Sequence, residues 1–437
     1  MRTRCNRLIL IACTLALGAC APDAQGVDDT AIEADVATSF DDADVLAVDE
    51  VGAADGVAHD ITLSDDASDA QSDAQPDTGP ILPPRPWDVT ARGPYNIGHR
   101  TTHITYAPRA EPQIERKIRL SVWYPTHATE GAVGRYYGGM RRGAVFSNAE
   151  PARDEPMPVL VFSHGNSSLA EQSYFMTEFF ATHGWLVIAP DHTGNTIGDN
   201  QGAINLMSAV YRPQDISASL DWLEALAADD PLYGLASDDE IVLSGHSFGG
   251  FTTLAAAGSG FMVDEAEEQC ALGEISASYC SIFTPEHVQI FRDGLHDARI
   301  GVAIPQTPAG AQIFGERLDA ITIPTLLWTG SMDRTLPNER EGDPIWQGLR
   351  GEEHLRIDLT HAGHFTFSNM CELLGTIESV RDDGCGPEFI DIFEAFGVIN
   401  AYSLAFARLH LFGDTADRAL LSGERKLIDA MVLSDKR

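Results

Sequence analysis

One serine stands in a glycine-rich turn between two apolar segments, within the sequence GHSFG at residues 245–249. The run Ile241 to Leu243 before it predicts a short buried strand, and Phe248 to Ala257 after it predicts a helix. This is the G-x-S-x-G pattern of a sharp strand-to-helix turn, in which the glycines avoid a steric clash and the serine hydroxyl is exposed. The pattern predicts Ser247 as a nucleophile. The alternative is an ordinary glycine-rich turn.

A serine at neutral pH needs a base, and the base needs a carboxylate to orient it. In a fold with this turn the order along the chain is serine, acid, histidine. Asp333 follows the predicted strand Thr325 to Trp328, and both His361 and His364 follow the strand that ends at Leu359. We favour His364 over His361 as the base, because it follows a glycine and lies farther from the strand end, where the loop can reach back over the sheet.

Acyl transfer also needs two backbone N–H groups directed at the oxygen that becomes negative. Phe248 supplies one candidate, since it follows the serine at the start of a helix. The second candidate is Asn166, in the sequence SHGNSS after the predicted strand Val159 to Phe162. The alternative interpretation of the His164-Gly165 pair is a plain turn.

These residues have to be positioned by strands and helices that alternate along residues 86–437, which predicts one α/β domain with a mostly parallel sheet covered by helices on both faces. The segment Arg116 to Tyr124 alternates apolar and polar residues, as a half-exposed strand near a sheet edge would. Residues 213–228 predict an amphipathic helix with Pro213 at its start.

An insertion at residues 258–298, after the helix that follows the serine, is not needed for that alternation, and we predict a lid or pocket wall there. Plain packing on the sheet edge is the alternative. The insertion contains Cys270 and Cys280, and Cys371 and Cys385 follow later in the chain. Of the three possible disulfide arrangements, the simplest pairs Cys270 with Cys280 and Cys371 with Cys385. Metal binding is the alternative, but the spacings of these cysteines are not those of a zinc site.

The N-terminal residues predict export. Three arginines precede the apolar run Leu8 to Leu17, which is too short for a spanning helix, and the segment 1–19 ends in LGA before Cys20. This ending resembles a bacterial lipobox, with cleavage before Cys20 and lipidation of its thiol. The alternative is an ordinary signal peptide with an incidental cysteine. Because Ala21 is not Asp, the usual inner-membrane retention signal is absent, and we expect an extracytoplasmic protein anchored to the outer membrane.

Residues 20–85 predict a disordered acidic tether, because residues 21–80 hold 17 Asp and Glu and no Lys or Arg. The formal net charge of the whole chain is -36. Phosphate binding needs a basic face, so nucleic acid is not expected as a partner.

Five segments, in order, resemble one branch of the α/β-hydrolases, the platelet-activating-factor acetylhydrolases and dienelactone-hydrolase-like proteins. They are VLVFSHGNSS, FFATHGWLVIAPDHTGNT, GHSFGG, IPTLLWTGSMD and GHFTFSN, within about residues 115–370. Bacterial cutinases and polyester hydrolases share this layout. The resemblance implies an α/β-hydrolase fold, a triad of Ser247, Asp333 and His364, and an oxyanion hole formed by Asn166 and Phe248.

The chain departs from the pattern in two ways. Vertebrate acetylhydrolases carry their acid after the strand that follows the serine helix, where this chain has IPQTPAG and no carboxylate. Dienelactone hydrolases use a cysteine where this chain has Ser247. We therefore expect a monomeric, lipid-anchored serine hydrolase that cleaves small acyl or lipid-type esters without a cofactor or metal. The alternatives are a cutinase-like polyester hydrolase, a peptidase of the same fold, and an inactive binding protein on a hydrolase scaffold.

Overall fold

The computed structural model describes residues 87–137, 139–199, 207–273, 280 and 283–436. The predicted signal segment 1–19, Cys20 and the predicted tether 20–85 lie outside the described residues.

In the described part of the chain the strands form one mixed sheet. They are β1 (Asn96–Tyr106), β2 (Arg116–Thr126), β3 (Val133–Tyr136), β4 (Met140–Ser147), β5 (Met157–Ser163), β6 (Leu186–Asp191), β7 (Ala236–His246), β8 (Val302–Gln306), β9 (Thr325–Gly330), β10 (His354–Leu359) and β11 (Met431–Asp435). The order across the sheet is β11-β10-β9-β8-β7-β5-β6-β2-β1-β4-β3. The six strands from β10 to β6 in this order are all parallel to their neighbours.

Helices connect the strands. The α-helices are α1 (Tyr174–Thr182), α2 (Ser208–Glu224), α3 (Phe248–Ala256), α4 (Val263–Leu272), α5 (Pro285–Asp293), α6 (Ala311–Phe314), α7 (Gly342–Gly348), α8 (Met370–Leu374), α9 (Glu378–Val380), α10 (Ile392–Phe412) and α11 (Arg418–Leu421). Short 3-10 helices cover Gly315–Ala320 and His364–Phe367, and a wide turn covers Arg381–Cys385. This arrangement confirms the predicted α/β class.

The core lies on both faces of the sheet. Along β5, Leu160 and Phe162 join the cluster that contains α1 and α10, whereas Val159 and Val161 join the cluster that contains α2. A parallel strand buried on both sides is a continuous apolar run, which is why β5 shows no polar alternation. Among the described helices, α10 alone is long and apolar enough to span a membrane, but 72% of its apolar window is buried in the protein.

The sequence prediction for β2 was wrong in one respect. We expected a half-exposed strand near an edge, but β2 pairs with β6 on one side and β1 on the other, and nine of its eleven residues are buried. The physical reason is that β1, β4 and β3 extend the sheet beyond it.

Pro213 does not begin its helix, as the sequence suggested. Helix α2 begins five residues earlier, at Ser208, and Pro213 lies inside it. Because Val210 and Tyr211 are buried in an apolar cluster, packing stabilises a helical turn ahead of the proline despite its missing N–H. This extension places Arg212 on the helix.

Both predicted disulfides are present, Cys270–Cys280 and Cys371–Cys385, with Cα–Cα distances of 5.6 and 5.3 Å. The described part of the insertion holds α4 and α5, and within it Phe291 of α5 packs edge-on against Phe261 at 5.0 Å between ring centroids. The ring of Phe261 in turn lies 6.3 Å from that of Phe251, a residue of α3, between ring centroids. The insertion therefore contacts the helix that follows Ser247. Its role as a lid stays a prediction.

Candidate active site

Ser247 occupies the turn between β7 and α3 in a strained backbone conformation, with φ 60° and ψ -118°. Residues other than glycine rarely adopt these backbone angles, whereas glycine tolerates them. The flanking glycines are required by space: a Cβ on Gly249 would meet the carbonyl oxygen of Ser163, and one on Gly245 would meet that of Gly249. The Ser247 N–H donates to the Gln306 carbonyl at 2.9 Å, which fixes the turn to β8. The turn thus has the geometry that its sequence pattern predicts.

Asp333 and His364 form a buried pair on adjacent loops. Nδ1 of His364 lies 2.8 Å from Oδ2 of Asp333, and the residues are only 2% and 5% exposed. The other oxygen of Asp333 accepts the N–H of Leu336 at 2.6 Å, which fixes the carboxylate. Burial alone would lower the pKa of His364, but the charge of Asp333, its hydrogen bond and the charge of Asp383 together raise that pKa. Nδ1 therefore carries a proton, and Nε2 is left to accept one.

His364 lies next to His246, the residue that precedes Ser247. The rings of His246 and His364 are 4.6 Å apart between centroids, and Nε2 of His246 is 2.9 Å from the carbonyl oxygen of His364. Within the described residues the Ser247 hydroxyl has no hydrogen-bond partner, so it makes no direct bond to His364 here. Catalytic hydrogen bonds are often long before substrate binds.

The second histidine, His361, lies in a different environment. It is exposed and has a positive φ of 61°, and its Nδ1 is 3.4 Å from Sδ of Met332. Within the described residues no carboxylate is hydrogen-bonded to its ring. Only His364 has the partner that a general base needs, which favours it over His361.

The loop that carries Asn166 lies against Ser247, since a Cβ on Gly165 would be 3.5 Å from Cβ of Ser247. Arg212 donates to the carbonyl oxygens of His164 and, at 3.4 Å, Gly165. A trans peptide is planar, so its N–H and C=O point in opposite directions. The N–H of Asn166 is therefore directed away from Arg212.

Among the described residues, both candidate oxyanion donors are left without an acceptor. The N–H groups of Asn166 and Phe248 donate to no other residue in the described part of the chain, and Phe248 is the first residue of α3. The first N–H groups of a helix have no intrahelical partner and carry a partial positive charge. Both groups are thus available to an oxygen that becomes negative.

Arg212 is a buried cation behind this loop. Burial lowers its pKa to about 9, while the charge of Asp215 opposes this, so Arg212 stays cationic at neutral pH. Its guanidinium also donates to Asn195 Oδ1 at 2.5 Å. Nδ2 of Asn195 in turn donates to Oδ1 of Asn166 at 2.8 Å. The backbone and the side chain of Asn166 are therefore both held through Arg212.

A second network joins the two sides of the site through Gln172. Its Oε1 accepts the N–H of Gly165 at 2.5 Å, which orients the amide, and its Nε2 lies 2.6 Å from Nδ1 of His246. Nδ1 of His246 must then be the acceptor, and Nε2 carries the proton that is donated to the carbonyl of His364. Burial, with the charge of His364, keeps the pKa of His246 well below its usual range, so the ring stays neutral.

Sequence reasoning missed Arg212, Gln172 and Asp383. Each of them has an ordinary surface pattern in the sequence. Arg212 precedes a proline, Gln172 precedes a helix, and Asp383 lies in an Asp-Asp-Gly turn. A buried position for a charged or amide side chain is the signal that would have identified them, and it requires the fold. Among the described residues, no group of three or more His, Cys, Asp or Glu side chains is arranged to hold a metal ion.

Comparisons with known proteins support the fold. A scan against family models and a search among curated proteins each found no match for the chain. Among solved structures, the chain is similar to a ferulic acid esterase from Streptomyces cinnamoneus, with a TM-score of 0.58 and 20% sequence identity. The match covers 80% of this chain and 99% of that chain. At this identity the likeness shows a shared fold.

Proposed function

We propose that this protein is an α/β-hydrolase that cleaves carboxylic esters with Ser247 as nucleophile, His364 as base and Asp333 as acid. The observation that carries the proposal is the buried 2.8 Å contact of His364 with Asp333, next to a serine in a strained turn. The shared fold with a ferulic acid esterase supports it.

In the proposed reaction Nε2 of His364 accepts the Ser247 proton as the serine oxygen attacks the ester carbonyl. The N–H groups of Asn166 and Phe248 stabilise the oxyanion, and Asp333 stabilises the imidazolium. The tetrahedral intermediate collapses, and the alcohol leaves with the proton from His364. Water, deprotonated by His364, then attacks the acyl-serine. The second tetrahedral intermediate collapses, the proton on His364 passes to the Ser247 oxygen, and a carboxylic acid is released.

We infer that the substrates are small acyl or lipid-type esters. A polyester is the second candidate, because the sequence resembles cutinases as well. An ester panel from acetate to palmitate, extended with a feruloyl ester and a polyester film, separates these substrates. Highest activity on short acyl chains, with no erosion of the polyester film, would contradict the polyester candidate.

The chemistry is tested with a fluorophosphonate probe, which labels only an activated serine. Wild-type protein should be labelled and Ser247→Ala should not. Ser237→Ala is the matched control, since Ser237 lies at the opposite end of β7 and should label as wild type does. Absence of labelling in folded wild-type protein would instead support a binding protein on a hydrolase scaffold.

We also propose that the enzyme is a lipoprotein, anchored through Cys20 and separated from the outer membrane by the acidic tether. A lipid chain and not a spanning helix would hold it. Cys20→Ser should release the protein into the soluble fraction. Equal membrane retention of this variant would contradict the anchor.

A further inference from the structure

The carboxylate of Asp383 connects the loop of the acid to the loop of the base. Its Oδ1 accepts the N–H of Arg334 at 2.9 Å and the N–H of His364 at 3.0 Å. Its Oδ2 accepts both the N–H and the hydroxyl of Thr335, at 2.8 and 2.7 Å. Arg334 and Thr335 directly follow Asp333. One buried side chain therefore holds the backbone on both sides of the Asp333–His364 pair.

This connection matters because the two loops follow different strands, β9 and β10. A hydrogen bond weakens steeply when its distance or angle departs from the optimum, so the Asp333–His364 contact requires a fixed distance between the loops. A carboxylate can accept all four donors, since it offers only acceptors. An amide at the same position would direct an NH₂ group toward some of these donors.

The turn that carries Asp383 is itself fixed against the base loop. A Cβ on Gly384 would be 2.7 Å from the N atom of Thr366, and one on Gly363 would be 2.6 Å from the carbonyl carbon of Asp383. Gly384 also has φ +136°, which other residues rarely adopt. The next residue is Cys385, whose disulfide to Cys371 closes the segment 371–385 that contains Asp383.

We propose that Asp383 is a positioning residue that joins the acid loop to the base loop, and that the Cys371–Cys385 disulfide holds it in place. The kinetic part of the test depends on the proposed ester hydrolysis, whereas the structural part does not. Asp383 acts on the reaction only through Asp333 and His364.

The charge of Asp383 also favours the protonated form of His364. The titratable groups that act on this imidazole are Asp333, Asp383 and the ring of His246, which is neutral. Without the charge of Asp383, the pKa of His364 should fall, so the base becomes neutral at lower pH.

The first test compares Asp383→Asn with Asp382→Asn. Asp382 is the matched control, because it is a half-exposed neighbour whose side chain pairs with Arg381. Asp383→Asn should lower kcat by about 10- to 100-fold, as loss of buried hydrogen bonds to a charged group does, with KM within about twofold. The acid limb of its kcat/KM profile should move to lower pH. Asp382→Asn should match wild type in both measurements.

The second test, hydrogen–deuterium exchange, needs no turnover. In Asp383→Asn the peptides covering residues 331–337 and 361–367 should exchange faster together, whereas Asp382→Asn should leave both unchanged. If Asp383→Asn does not fold, Thr335→Val replaces it, with Thr335→Ser as its control because serine keeps the hydroxyl. Thr335→Val should then loosen both peptides and Thr335→Ser neither.

The disulfide is tested with Cys371→Ser/Cys385→Ser, which should loosen the same two peptides and lower kcat. Unchanged kcat, pH profile and exchange in Asp383→Asn would overturn the positioning role, and unchanged exchange in the double variant would overturn the role of the disulfide. If wild type is not labelled by the fluorophosphonate, the proposed function fails while the exchange result still decides the role of Asp383.

Discussion

Nε2 of Gln172 donates to Nδ1 of His246 across 2.6 Å, and this contact sets the position of the proton on the histidine ring. The amide is oriented by the N–H of Gly165, so the tautomer of His246 depends on the loop that carries a proposed oxyanion donor. The same ring donates to the carbonyl of His364. The oxyanion loop, the residue before the nucleophile and the base loop are thus joined by three hydrogen bonds in sequence.

Gln172→Glu should break this sequence of bonds with little change in shape. One oxygen still accepts from Gly165, but the other faces the lone pair on Nδ1 of His246, which favours moving the ring proton to Nδ1. The carbonyl of His364 then loses its donor, at a cost of about 1–3 kcal/mol for a buried group. We expect kcat to fall by about 10-fold or more, and ¹⁵N NMR to show the altered tautomer.

The control for this variant is Gln347→Glu, which makes the same change at an exposed position of α7. It should retain the kcat of wild type. If Gln172→Glu keeps wild-type kcat and the Nε2–H tautomer, the inferred proton position is wrong.

His364→Ala should abolish measurable esterase activity and leave the fold intact, as should Ser247→Ala and Asp333→Ala, because the three residues act as one unit. His361→Ala should retain most of the activity, since His361 is exposed and no carboxylate in the described part of the chain bonds to its ring. Initial rates on a chromogenic ester measure the activity of each variant, and circular dichroism is the folding control. The reverse outcome for the two histidines would show that His361 is the base.

Acid should destabilise the protein below about pH 6.5. Burial, as the largest cause, lowers the pKa of His99, His183 and His354 to about 4 and that of His192 to about 3. Between these values and about 6.5 the unfolded chain binds protons that the native protein does not, so stability falls as pH falls. Each histidine contributes up to about 1.4 kcal/mol per pH unit.

The effect of His364 on stability has the opposite dependence on pH. Its folded pKa is raised, so its contribution is present at low pH and is lost as pH rises through that pKa. Glu341 acts in the same direction as His364, because burial raises its pKa to about 7. Burial also lowers the pKa of His164, His246 and His410, which act with the other four histidines. More groups therefore lose stability in acid than gain it, and urea unfolding should give a lower free energy of unfolding at pH 5 than at pH 7. Equal values at the two pH values would show that the buried histidines are not held neutral.

The insertion is tested by Cys270→Ser/Cys280→Ser. If α4 and α5 form a wall of the acyl pocket, opening the disulfide should change the ratio of activities on short and long acyl esters, because the wall can then move farther. The fold should survive, since the main core lies elsewhere. A folded double variant with an unchanged chain-length profile would reject the wall and leave the insertion as packing.

The predictable part of this molecule is local. Five consecutive residues determine the turn around Ser247. Asp333 and His364 each follow the end of a strand, and these ends meet at one edge of a parallel sheet. By contrast, Arg212 contacts the His164 carbonyl 48 residues away and Gln172 contacts His246 74 residues away, so their roles appear only once the chain is folded. The edge prediction for β2 failed for the same reason, because alternation along a strand does not show how many strands lie beyond it.

The strained backbone of Ser247 has a consequence for engineering. A residue held at φ 60° and ψ -118° costs about 1–3 kcal/mol that glycine would not. Ser247→Gly should therefore raise Tm while removing the proposed nucleophile. A mutant library screened for heat resistance alone will enrich this inactive variant, so a search for durable catalysts has to select for turnover at every round.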